Sequence, residues 1–237
     1  RSFGWIMVIV PAFFVLYALL ASYLPGPLRH AQADWSYMME ILYVQESGVY
    51  GTGTTVLLSM VFLFLMFGVI MQATAVGAFF TSLANGLVGG YSGGPAKAAV
   101  LASAGIGTLT GSAIANVATT GCVTIPLMKK TGYKPHFAGA VEACASSGGQ
   151  FMPPVMGVSA FLMVAFTGIP YIKICLFVAI PAILYFLAVF LQVHFRAKID
   201  GLAGLPKAEL PSATKVLAQG WYLALPLLVI IVALALG

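Results

Sequence analysis

Two stretches of this 237-residue sequence gather oxygen-bearing side chains among glycines and prolines. The first runs Gly105-Ile-Gly-Thr-Leu-Thr-Gly111-Ser112-Ala-Ile-Ala-Asn116, and the second Ser146-Ser147-Gly148-Gly149-Gln150-Phe-Met-Pro153-Pro154. Together with Thr119 they offer the oxygens of Ser112, Asn116, Ser146 and Ser147, besides free main-chain oxygens. A hard monovalent cation takes oxygen ligands, so Na⁺ suits this set without any carboxylate. The competing structural reading is that these small residues let helices pack closely, as they commonly do in membranes.

The elements that carry them are set by composition. Hydrophobic residues make up 61% of the chain and charged residues only 7%, against roughly a quarter in soluble domains, so no soluble surface can be built. Phe3–Leu24, Thr54–Phe80, Pro170–His194 and Val216–Leu236 each exceed the ~20 residues that cross ~30 Å of hydrocarbon as a helix. Lipid offers the backbone no partners, and runs of this length without two-residue alternation mean helices, not barrel strands. The expected fold class is all-α, polytopic, in a lipid bilayer. Phe3–Leu24 reads as a retained span, since it is longer than a signal-peptide core and no small-residue cleavage site stands out after it. Cys122, Cys144 and Cys175 have no paired spacing, which argues for plain packing and against a disulfide framework or zinc.

The formal charge of +5 falls at the ends of membrane segments, so it reports orientation and not nucleic acid. With Arg1 cytoplasmic, the loop 25–51 is outside and net acidic, with Asp34, Glu40 and Glu46 against Arg29. Lys97, the Lys129, Lys130 and Lys134 cluster, and Arg196, Lys198, Lys207 and Lys215 then all return to the cytoplasm. Of the 11 Lys and Arg only Arg29 and Lys173 fall outside, the bias expected of cytoplasmic loops.

Residues 95–128 are flanked by basic residues on both sides and are too short for two full crossings with a turn between them. A re-entrant hairpin satisfies both constraints if its tip is sheltered by protein or by a water-filled cavity. The tip is expected near Gly105–Ser112, with three glycines for a tight turn and Pro95 in the first turn of the entering arm. After Pro135 a helix is expected to Ala145, interrupted over Ser146–Pro154 near mid-membrane, and resumed over Val155–Thr167. Proline removes a backbone donor and glycine loosens the helix, so Gly148-Gly149-x-x-x-Pro153-Pro154 leaves main-chain groups free inside the bilayer. Discontinuous helices of this kind gather at the midplane of secondary transporters, where helix N-termini attract anionic groups and unwound carbonyls coordinate Na⁺. Glu142 is the acid placed inside a membrane segment; such acids are functional candidates by default, and pairing with a nearby lysine is the structural alternative.

Gly111-Ser-Ala-Ile-Ala-Asn-Val-Ala-Thr-Thr-Gly121 with Ile125-Pro-Leu-Met-Lys-Lys-Thr-Gly-Tyr133, and Phe137-Ala-Gly-Ala-Val-Glu142 with Gly148-Gly149-Gln150 and Met152-Pro-Pro-Val-Met-Gly157, together resemble the large membrane subunit of tripartite ATP-independent periplasmic (TRAP) transporters, specifically the fused permeases that work with TAXI-type binding proteins. The resemblance extends from about residue 48 to 217. It implies an elevator-type, Na⁺-coupled importer in the bacterial or archaeal cytoplasmic membrane, to which an extracytoplasmic solute-binding protein delivers a small organic acid. It also implies that Ser112 and Asn116, with the Ser147–Pro154 break, form one Na⁺ site and one wall of the substrate cavity; Na⁺ is the coupling ion and no cofactor is expected. Such permeases have a second, inverted hairpin and broken helix, and small-subunit helices ahead of the large subunit. No second copy appears before Gly237 and the small-subunit helices are mostly missing, Phe3–Leu24 being the last of them or a connecting span, so the chain is expected to be a fragment or truncated product. The expected organisation is 1–51 as a span and extracytoplasmic loop, 52–94 as a helix and linker, 95–169 as hairpin plus broken helix, and 170–237 as further spans.

Three rivals are weighed. Gly90-Tyr91-Ser92-Gly93-Gly94 formally matches G-x-S-x-G, but a serine hydrolase needs a strand before this elbow and a helix after it, with a base in reach. A stand-alone dicarboxylate or tricarboxylate carrier has similar paired hairpins and would need no binding protein. A channel requires a continuous polar pore, whereas the polar residues here converge on one spot.

Overall fold

Long apolar runs with no lipid-exposed main chain to spare give helices throughout, and the computed structural model shows no strand among the residues it describes, 4–29, 34–46 and 48–236. Phe3, where the first span is expected to begin, lies outside the described residues, as do Arg1 and Gly237. The chain falls into two units, 1–55 and 56–237. The first holds α1 (Ile6–Leu20), extended by a 3₁₀ turn over Ala21–Tyr23, and the short α2 (Trp35–Tyr43). Ile6–Tyr23 is long and apolar enough to cross a membrane, and Ile6, Phe13 and Phe14 stand largely exposed, as lipid-facing side chains would.

A second span of 21 residues, Thr52–Gln72, consists of α3 (Thr52–Val56), a π-type turn (Leu57–Val61) and α4 (Phe62–Gln72). It stops well short of the expected end at Phe80. Thr74 explains the stop: its Oγ1 donates to the Met71 carbonyl at 2.6 Å and accepts from the Val76 amide at 3.4 Å, a local alternative to the helical ladder. The chain restarts as α5 (Val76–Val88). The third span, α10 (Tyr171–Ile199), has 29 residues and outruns its expected end at His194. Arg196 and Lys198 in its last turn complement the carbonyl-rich C-terminus, and Arg196 pairs with Asp200 at 2.8 Å. The expected fourth span is not straight: α11 (Ala213–Gly220), a 3₁₀ turn over Trp221–Ala224 and α12 (Leu225–Leu236) bend by 53°. Pro226 lies directly after the bend, and it has neither the N–H nor the room to continue the preceding helix.

Between these elements lie α6 (Gly94–Thr110), α7 (Ala113–Lys130), α8 (Pro135–Gly148) and α9 (Val158–Thr167). A core of Ala96, Ala99, Val100, Met128, Ala138, Val141, Ala145, Phe186, Val193 and Ala197 joins α6, α7, α8 and α10. The alanines among them let the helices approach closely where lipid supplies no hydrophobic drive.

The start of α6, the end of α7, the start of α8 and the end of α10 meet at one end of the unit. A β-carbon on Gly93 would stand 2.4 Å from Ala197 Cβ and 2.7 Å from the Tyr133 hydroxyl; Lys97 Nζ lies 5.7 Å from the Phe190 ring and the Arg196 guanidinium 5.9 Å from that of Phe137. The hairpin therefore enters and leaves on the same, basic side. Each arm rises about 25 Å at 1.5 Å per residue, most of the depth of a bilayer.

Candidate functional site

The hairpin turns at Gly111-Ser112. Gly111 takes φ 57°, a left-handed conformation, and ends α6; Ser112 is extended, and its Oγ accepts from the Ala115 amide at 3.3 Å to cap α7. The tip thus lies at the far edge of the expected window. Gly105 and Gly107 do not turn the chain, because both belong to α6 and serve close packing: a β-carbon on Gly105 would stand 2.4 Å from the Phe80 ring, and one on Gly107 2.6 Å from the Cα of Gly149.

The interruption also begins later than expected. α8 continues through Ser146, Ser147 and Gly148, and the chain leaves the helix in a 3₁₀ turn over Gly149–Phe151. Proline geometry sets this point, since the Pro153 ring would collide with the carbonyl four residues back, at Gly149, and drives Met152 into extended backbone. The Gly157 amide donates to the Gln150 carbonyl at 2.6 Å, and the Tyr171 hydroxyl lies 2.8 Å from the carbonyls of both Pro154 and Val155. Helix resumes at Val158, not Val155. Tip and break are in contact: a β-carbon on Gly111 would overlap the Met156 carbonyl oxygen at 1.8 Å.

Where they meet, a cleft of about 370 Å³ opens, lined by Thr110–Ile114 from the tip, Gln150 and Val155–Ser159 from the break, and Val61, Phe64, Leu65 and Phe161 around them. No charged side chain lines it. The first residues of α7 and α9 both face this space, and the first amides of a helix have no intrahelical partner. Two positive helix ends on one uncharged cleft make a setting that favours an anion.

Of the residues singled out in the sequence, Gly111, Ser112 and Gln150 line the cleft. Asn116 is fully buried just behind it; Nδ2 donates to the Ser103 carbonyl at 2.8 Å, and Oδ1 has no hydrogen-bond partner. Gly149 packs on it, since a β-carbon there would stand 2.9 Å from Asn116 Nδ2. Pro153 and Pro154 shape the break without lining the cleft. Thr119, Ser146 and Ser147 are not gathered there. Thr119 donates to the Ala115 carbonyl and packs on Gly77 of α5, Ser147 donates to the Ala143 carbonyl from an exposed position, and Ser146 donates to Glu142. Gly148 faces the Tyr185 and Phe186 rings of α10.

Glu142 has no lysine partner; the ion pair found among the described residues is Arg196–Asp200. Its carboxylate is fully buried and receives hydroxyls instead: Thr120 and Thr124 of α7, Ser146 at 3.1 Å, and Ser103 of α6 at 3.5 Å. Hydroxyl partners stand where a counter-ion was expected and satisfy the buried carboxyl group. Thr120, Thr124 and Ser103 were passed over in the sequence. Asn116, Thr120 and Thr124 recur every four residues, one face of a helix, which is the signal that marks the first two; nothing marks Ser103.

The model of the family described as tripartite ATP-independent periplasmic transporter, DctM component, matches residues 1–237. The chain belongs to this family. Its curated relatives include the C4-dicarboxylate TRAP transporter large permease protein DctM of Pseudomonas aeruginosa, 29% identical over 62% of this chain and 34% of the relative. The sialic acid TRAP transporter permease protein SiaT of Haemophilus influenzae is 27% identical over 78% of this chain and 30% of the relative. The isethionate TRAP transporter permease protein DctMQ of Oleidesulfovibrio alaskensis is 35% identical over 41% and 16%. The alignments thus span about a third or less of these relatives' length. The family is one of membrane transporter permeases and not of enzymes. Ser92 follows the helix α5 and not a strand, and its hydroxyl donates to the Leu202 carbonyl at 2.9 Å.

Proposed function

We propose that this TRAP permease segment supplies half of the solute pathway of a Na⁺-coupled importer of small organic acids, working by an elevator motion in the bacterial or archaeal cytoplasmic membrane. Its partners are an extracytoplasmic solute-binding protein, of the TAXI type by sequence resemblance, the small-subunit helices, and the opposite half of the cavity. The observation that carries the reading is the uncharged cleft on which the N-termini of α7 and α9 open together. A carboxylate or sulfonate seated there meets main-chain amides and two positive helix ends. The solutes named for the relatives, a C4-dicarboxylate, sialic acid and isethionate, are all acids or their anions.

Na⁺ coupling is supported by the unpaired Oδ1 of Asn116, buried between the hairpin and the Gly149 break. A cation there would draw on this oxygen and the carbonyls freed by the break. Elevator motion is supported by the hairpin, which enters and leaves on one side and so can travel with the broken helix as a unit.

The test is uptake of labelled carboxylates and sulfonates into proteoliposomes holding the full-length permease, with and without its binding protein, under inward Na⁺ or choline gradients. Uptake that requires both Na⁺ and the binding protein is expected. Uptake without the binding protein would instead favour the stand-alone carrier, and uptake indifferent to Na⁺ would remove the coupling.

A further inference from the structure

Lys97 is 4% exposed, yet no carboxylate bonds to it. It lies one turn into α6 and opens onto a second cavity, of about 530 Å³, at the basic end of the unit and remote from the hairpin tip. His194 and Lys198 of α10 share that cavity, with Tyr91 and Ser92 on the linker before α6. Asp200, the acid at this end of α10, is taken by Arg196 at 2.8 Å. Three nitrogen-bearing side chains thus converge with no bonded acid, and the N-terminus of the 17-residue α6 adds its positive end.

A buried ammonium without a counter-charge is expensive, and here the Phe190 ring at 5.7 Å is its visible compensation. An anion completes the arrangement. The remaining walls, Val88, Phe190 and Leu191, are apolar and belong to helices whose flanks would face lipid. A ligand with a phosphate head and hydrocarbon tails matches both halves of this lining; a free phosphate matches only one.

The geometry points to a binding site for the phosphate headgroup of an anionic membrane lipid, held by Lys97, Lys198 and His194 where α5, α6 and α10 meet. Basic pockets between helices at the cytoplasmic face recognise such headgroups. The site ties the root of the hairpin to α10 through a bridging lipid.

The experiment follows thermal unfolding of the full-length permease in detergent, titrated with dioleoylphosphatidylglycerol, with dioleoylphosphatidylcholine, or with inorganic phosphate. Phosphatidylglycerol is expected to raise the midpoint, phosphatidylcholine not to, and Lys97→Gln to weaken the apparent affinity roughly tenfold or more, the loss typical of one charge-assisted contact. Lys198→Gln, at an exposed position, weakens it in the same direction, whereas Lys173→Gln, at the start of α10, leaves it unchanged. Equal effects of the two lipids, a full effect of phosphate alone, or equal losses in Lys173→Gln and Lys198→Gln would each overturn the assignment.

Discussion

Gly107 of α6 and Gly149 at the end of α8 meet backbone to backbone, so close that a β-carbon on Gly107 would stand 2.6 Å from the Cα of Gly149. This contact seats the interrupted helix against the hairpin and leaves the main chain of both free to turn at the cleft. Gly107→Ala is expected to destabilise by about 1–3 kcal/mol through overpacking. Gly149→Ala should do somewhat less harm, because its β-carbon would stand 2.9 Å from the buried Asn116 amide and 3.0 Å from the Cα of Gly107, longer approaches than 2.6 Å. Gly139→Ala, in the middle of α8 with nothing within 4 Å of its new β-carbon, should stabilise by up to about 1 kcal/mol on helix propensity. Thermal unfolding midpoints in detergent order the three, and equal values would show that the contact does not hold the site.

Glu142 holds α8 to α7 through Thr120 and Thr124. Glu142→Ala removes these bonds and leaves a cavity, and is expected to cost about 3 kcal/mol. Glu142→Gln keeps one carbonyl acceptor and should lose about half as much. The same unfolding assay checks it, with trypsin cleavage at Lys129 and Lys130, the last residues of α7, as a local readout of α7–α8 separation.

Asn116→Ala in the full-length permease is expected to shift half-maximal uptake to higher Na⁺, by tenfold or more if Oδ1 is a ligand. Ser112→Ala removes the cap of α7, about 1 kcal/mol, and is expected to weaken solute affinity at saturating Na⁺ as well. Uptake measured against Na⁺ and solute separately distinguishes the two, and an unchanged Na⁺ dependence in Asn116→Ala would take that residue out of the site.

Ser92 donates to Leu202 and has no nucleophile-activating strand before it. No labelling by a fluorophosphonate is expected, in the native chain or in Ser92→Ala. Labelling that disappears with Ser92→Ala would revive the hydrolase reading.

Much of this architecture is legible in the sequence, because hydrocarbon allows so few solutions. Basic residues on both sides of residues 95–128 required a hairpin, and Pro153-Pro154 required a break; tip and break meet as expected. The errors are local. Three glycines looked like turn residues, but only Gly111 turns, since Gly105 and Gly107 are spaces cut for Phe80 and Gly149. Composition reads a small residue without saying whether it bends a chain or admits a neighbour. Ser146 and Ser147 went into the break because serine tolerates loops, yet the Pro153 ring acts four residues back and leaves both in helix. Thr74 ended a span in the middle of an apolar run, through hydrogen bonds too local for hydropathy to register. The Glu142 partners were half visible: the four-residue recurrence of Asn116, Thr120 and Thr124 is a helical face, whereas Ser103 arrives from another helix and leaves no periodic trace.

The cleft at the tip presents its positive poles through peptide groups and no ionised side chain. Amino-acid replacement cannot delete a peptide dipole, so the positive potential at this cleft is carried by the fold itself and passes to every descendant that still folds. Change by substitution must then fall on the shape of the walls, at positions such as Phe64, Gln150 and Phe161, where a gene can alter size and polarity without touching the potential beneath.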